Sequence, residues 1–171
     1  MEPRQLKINF VIGLMNSLLN EQEGFLHQDA SSHAYFVINY HHECPVKLSD
    51  EVLVALIAHP ALEFEVLSYE QLVAFFGEEI AQICHFIVNR EIISKHKYEE
   101  MEDLELLQAC IIDLLYYTSL RNLVSEGFWD KMEQRVQTLL EGVLEYKGTA
   151  KFAEWVGEVL KGQKSIEGNS F

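Results

Sequence analysis

Proline is scarce in this chain, and so is glycine: three and nine residues of 171. That composition argues against collagen-like repeats and disordered linkers, and leaves few places where a helix must stop. Cysteine is scarce too. Cys44, Cys84 and Cys110 are odd in number and widely spaced, with no Cys-x-x-Cys, which argues against a disulfide framework or a cysteine zinc site. Cys84 and Cys110 sit in apolar runs and read as small buried hydrophobes. No apolar run reaches the roughly 18 residues that cross a bilayer. The opening MEPRQLKINFVIGLMNSLLNEQ has bases and then an apolar stretch, as a signal peptide does. It lacks a small-residue cleavage site, and Asn9, Asn16 and Ser17 interrupt it, so it reads as an amphipathic first helix of a cytoplasmic protein. A Gly-rich phosphate loop, a Gly-x-Ser-x-Gly and a Cys–His–Asn pattern are all missing.

Positive charge is the other shortage. Thirteen lysines and arginines face 27 acids, for a net charge of −14. The excess is concentrated: residues 51 to 105 carry twelve acids against three bases. A phosphate backbone is repelled by such a surface, which excludes direct nucleic-acid binding as the first expectation, whereas a basic protein partner is favoured.

What is abundant is apolar residues at helical spacing. At 49% hydrophobic, the chain is long enough to bury one sizeable core. Ile8, Ile12, Met15 and Leu19 mark one side of the first helix. The segment SSHAYFVINYHHECP reads as a short helix that ends before Pro45, although AYFVINY is also strand-like. In LSDEVLVALIAHP, Ser49 is a natural N-cap, Asp50 and Glu51 suit the first turn, and Pro60 is the expected stop. ALEFEVLS then alternates apolar and acidic residues, and with no partner strand it reads as an extended or single-turn linker. Ser68 and Gln71 form a capping-box pattern opening the next helix, and Gly77 separates it from EEIAQICHFIVNREII. Further helices follow from about Tyr98 to Asn122, from Ser125 to Gly148, and from Thr149 on. The expected fold is all-α: one domain over residues 1–162, a bundle or short stack of about seven or eight helices, with a frayed tail over 163–171.

Seven histidines invite a metal reading. HHEC, His41 to Cys44, is the densest cluster, but adjacent residues on a helix point about 100° apart. No histidine pair at i, i+4 exists, and His27 and His33 are six apart, so spacing gives no metal site. His85, between Cys84 and Phe86, reads as a half-buried core histidine. Nothing in the sequence asks for a cofactor.

At the end of a helix, REIISKH places Arg90 and His96 with five residues between them. This resembles the Arg-x(4–6)-His motif of the HEPN ribonuclease superfamily, which is all-α and dimeric. The resemblance implies RNA cleavage by Arg90 and His96. It covers seven residues, and Glu91 stands where that family often has a polar Asn. Read alone, Lys95, His96 and Lys97 complement the negative end of a helix dipole.

The remaining clue is KYEEMEDLELLQACIIDLL. Five of the seven residues from Glu99 to Glu105 are acidic. Glu99 and Glu100 suit a first turn; Glu102, Asp103 and Glu105 lie beyond it. Four like-charge pairs at helical spacing would cost roughly 1–2 kcal/mol. Such a cluster reads as placed for an external partner. Glu63, Glu65, Glu70, Glu78 and Glu79 could share its side. The expectation is a non-catalytic acidic binding protein, of the type of bacterial immunity proteins, that occludes a basic nuclease-like toxin or a nucleic-acid-binding protein. A helical adaptor whose acidity serves only solubility is the alternative.

Overall fold

A computed structural model describes residues 3–19, 30–89, 104–120, 123 and 125–165. These form eight helices and no strand. In chain order they are α1 (Pro3–Leu19), α2 (Ala30–Glu43), α3 (Asp50–Glu63), α4 (Tyr69–Phe76), α5 (Glu78–Val88), α6 (Leu104–Ser119), α7 (Glu126–Leu144) and α8 (Ala150–Ser165).

Two of them are central. Every residue of α3 from Val52 to Ala61 is buried, and so is every residue of α6 from Leu107 to Tyr116. A helix that is apolar all round has to be wrapped by others. α1 and α5 cover α3, α7 and α8 cover α6, and α2 lies across both central helices. Side-chain hydrogen bonds tie the outer layer on: Trp129 Nε1 of α7 donates to the Thr118 carbonyl at 2.9 Å. Gln163 Nε2 of α8 donates to the Leu115 carbonyl at 3.2 Å. α8 thus extends to Ser165, into the start of the segment 163–171 expected to fray; the rest of that segment lies outside the described residues.

Three serine caps read from the sequence are formed. Ser49, Ser68 and Ser125 each accept from the backbone N–H three residues on, and Ser68 with Gln71 makes a full capping box. Such caps contribute about 1 kcal/mol each. Gly77 joins α4 to α5 at φ 92°, in the left-handed region that glycine enters without strain.

One expectation is corrected around α3, and one is narrowed. The helix does not stop at Pro60 but continues to Glu63. A proline inside a helix has no N–H for the carbonyl four residues back, here Leu56. The His59 ring makes a hydrogen bond to that carbonyl, at 2.9 Å. The alternating ALEFEVLS is not extended: its first three residues complete α3, and of the two linker readings the single turn is the one formed. Val66 N–H donates to the Ala61 carbonyl and Glu65 N–H to the Leu62 carbonyl, with Glu65 at φ 57°. This is a Schellman closure, in which a glutamate holds the left-handed position usually given to glycine. The strand-like AYFVINY is helical, within α2.

Candidate metal centre

α2, α3 and α6 each bring one polar side chain to the same point in the core: His33, His59 and Asp113. Their side-chain exposures are 1%, 0% and 0%. His33 Nε2 lies 2.9 Å from Asp113 Oδ1, and His59 Nε2 lies 3.4 Å from the same oxygen. The candidate ligand atoms all fall within 4.8 Å of one another. Ring packing braces the pair: His33 stands edge-on to His59 at 5.3 Å and to Tyr116 at 4.9 Å.

The tautomer of His59 follows from its partner. Nδ1 lies 2.9 Å from the Leu56 carbonyl, which can only accept, so Nδ1 carries the hydrogen. Nε2 is then the nitrogen turned towards the carboxylates. One turn further along α3, Glu63 places Oε2 3.8 Å from it. A neutral imidazole would meet two carboxylate oxygens lone pair to lone pair. A cation between them, either a proton or a metal ion, turns repulsion into attraction. The buried Asp113 carboxylate makes the same demand, because an ionised acid at zero exposure needs positive charge beside it.

The spacing suits an ion. With metal–ligand distances near 2.0–2.2 Å, the edges of a tetrahedral site are about 3.3 Å long. Asp113 Oδ1 stands 2.9 Å from His33 Nε2 and 3.4 Å from His59 Nε2, near that length, and all three ligand atoms fall within 4.8 Å of one another. Histidine ligands also commonly give their second N–H to a carbonyl, which fixes ring orientation, as His59 does to Leu56. Two imidazoles with carboxylate oxygens suit a borderline divalent ion such as Zn²⁺, Mn²⁺ or Fe²⁺.

The triad is enclosed, and its open side is Glu63. That side chain is 33% exposed, and its Oε2 also accepts from the Tyr117 hydroxyl at 3.3 Å. Three buried donors thus meet, in the fourth direction, a carboxylate that reaches the surface.

The residues expected to meet a partner are differently placed. Glu99, Glu100, Glu102 and Asp103 lie outside the described residues, and so do Arg90 and His96. Glu105 is half-buried and accepts from the Ser49 backbone N–H at the start of α3. Glu63 faces the triad. Glu65, Glu70, Glu78 and Glu79 are exposed. The Tyr69 hydroxyl donates to Glu78 at 2.6 Å, and chiefly this hydrogen bond holds the phenol above its usual range. Hydrogen bonds from Tyr69 and then Gln82 hold the Glu78 carboxyl below its usual range. The backbone N–H of Glu70 and then the Ser68 hydroxyl do the same for Glu70.

Helical spacing could not find the triad, because its members come from three helices; His33 and Asp113 are 80 residues apart. The available signal was of another kind. His59 in LIAHPAL and Asp113 in ACIIDLLYY are lone polar residues inside otherwise apolar helix. The HHEC residues diverge, with His41 and Cys44 buried and His42 and Glu43 exposed. His85 is exposed, not half-buried, and the Asn89 amide reaches its ring and its carbonyl. Comparison with protein-family models, with curated proteins and with solved structures gives no match for this chain.

Proposed function

We propose that this chain is a metal-binding helical protein whose centre is built for metal-assisted hydrolysis. His33, His59 and Asp113 hold one borderline divalent ion, and a water fills the remaining position on the Glu63 side. The observation that carries this reading is the His59 ring. Its Nδ1–H is committed to a carbonyl, while its Nε2 faces the buried carboxylate of Asp113 and the partly exposed carboxylate of Glu63. A bound ion of this kind polarises a substrate oxygen and brings the pKa of its water to about 7. Glu63 is within one water of that position and can take the proton.

The test is a titration and a rate. The chain, stripped with a chelator, takes up one Zn²⁺ or Mn²⁺, and the loaded protein hydrolyses an activated ester or phosphodiester probe. Asp113→Asn loses the ion. Glu63→Gln keeps the ion and loses at least about 100-fold in rate, the low end of what a general base contributes. Uptake without turnover by any probe would leave a metal-binding protein and remove the hydrolytic part.

A second reading is kept for the acidic surface. Glu78 accepts from the Tyr69 hydroxyl, Glu70 and Glu79 adjoin Tyr69 and Glu78 in sequence, and all three acids are exposed. This supports a docking face for a basic protein, as an immunity-type inhibitor has. Association with such a partner slows steeply as salt rises, and slows again in the Glu70→Gln, Glu78→Gln, Glu79→Gln variant.

A further inference from the structure

The proline that follows His59 has a part in the site. An amide at position 60 would donate its N–H to the Leu56 carbonyl, four residues back, and close an ordinary turn of α3. Pro60 has no N–H to give, and its ring also crowds that carbonyl. The helix nonetheless continues through it, with Phe64 N–H donating to the Pro60 carbonyl at 3.0 Å. The Leu56 carbonyl points instead at His59 Nδ1, at 2.9 Å, and both residues are buried. The hydrogen bond that the main chain gives up is the one that orients the imidazole.

We propose that Pro60 is a positioning residue of the metal centre: by withholding a backbone N–H it reserves the Leu56 carbonyl for His59, and so fixes the ring with Nε2 towards Asp113 and Glu63. The proposal rests on the metal-centre reading for its consequence and on the hydrogen-bond geometry alone for its first step. A carbonyl oxygen has two lone pairs and can accept twice, but an amide N–H at position 60 would lie along the helix axis and compete with the imidazole for that oxygen. Restoring the amide N–H therefore frees the imidazole to populate the other tautomer and to rotate. Outer partners of this kind change metal affinity by about 10–100-fold.

The experiment has two readouts on the full chain, wild type and Pro60→Ala. In the metal-free protein, ring ¹⁵N shifts of His59 report its tautomer. Wild type keeps a hydrogen on Nδ1, whether or not a proton also takes the ion's place on Nε2, and Pro60→Ala adds the form with Nδ1 bare. With Co²⁺ as the probe ion, Pro60→Ala binds about 10–100-fold more weakly and its visible absorption bands change, because the ring donor is less well placed. A third chain carries the α-hydroxy acid analogue of alanine at position 60. It lacks the N–H as proline does, and restores both the wild-type tautomer and the affinity. If wild-type His59 carries no hydrogen on Nδ1, or Pro60→Ala leaves tautomer and affinity unchanged, the proposal is overturned. If Pro60→Ala does not fold, the wild-type tautomer and the hydroxy-acid chain still decide. A wild-type chain with the expected tautomer that binds no Co²⁺ overturns the metal centre and leaves Pro60 as an orienting residue for a buried histidine alone.

Discussion

Replacing Asp113 with asparagine separates the roles of a buried hydrogen bond and a buried ligand. The substitution conserves volume, and its amide oxygen can still accept from His33 Nε2, now 2.9 Å from Asp113 Oδ1. In the metal-free protein the loss is the difference between a charge-assisted and a neutral hydrogen bond, about 1 kcal/mol. For a chain of this length that lowers Tm by about 2–4 °C. With ion present the contrast is larger. At free Zn²⁺ one hundred times Kd, binding stabilises the wild type by about 2.7 kcal/mol, a rise in Tm of roughly 5–11 °C. The asparagine variant has lost its anionic ligand, so the same Zn²⁺ raises its Tm by less than about 2 °C. The assay is thermal unfolding followed by circular dichroism, with chelator and with Zn²⁺. Equal Zn²⁺-induced shifts in the two proteins would refute the assignment of Asp113 as a ligand. A fall in Tm of more than about 10 °C in chelator would show that the carboxylate serves chiefly as a buried ion-pair partner.

Three further outcomes follow from the same geometry. Glu65→Gly relieves a left-handed residue at the end of α3 and raises stability by about 0.5–1 kcal/mol in a urea titration, once the greater freedom of glycine in the unfolded chain is set against it. Tyr69→Phe removes the first of the two hydrogen bonds that lower the Glu78 pKa. The sign is fixed by linkage: a depressed carboxyl contributes stability above its unfolded value, and that stability is lost as pH falls through the folded one. The variant should therefore titrate Glu78 nearer its ordinary range by NMR and show a flatter acid limb of stability. Burial pushes the Cys84 thiol up to about 12, so native protein at pH 8 resists alkylation there and unfolded protein does not.

Much of the fold was legible because its signals are local. Ser49, Ser68 with Gln71, and Ser125 announce helix starts by chemistry that needs only three residues, and all of them cap as read. Pro60 was misread because its rule counts only the backbone bond it breaks. Whether the helix stops depends on what takes the Leu56 carbonyl, and that is a side chain. The alternation in ALEFEVLS resembled a strand because a Schellman turn, with Glu65 in the left-handed position, also sends successive residues in and out. The candidate centre was hidden for a different reason. Motif spacing finds ligands that share one element, whereas His33, His59 and Asp113 become neighbours only when α2, α3 and α6 pack. Asp113 within ACIIDLLYY was the strongest local hint, since a charge at the middle of an apolar helix requires a partner in the core.

Metal stoichiometry tests the central claim most directly. Chain stripped of metal and dialysed against limiting Zn²⁺ is analysed for metal per mole of protein, alongside His59→Ala and Asp113→Asn. One ion bound tightly by the wild type, and none retained by either variant while both keep their helical spectrum, is the expected result. A wild type that retains no ion, or variants that retain as much as the wild type, would contradict it.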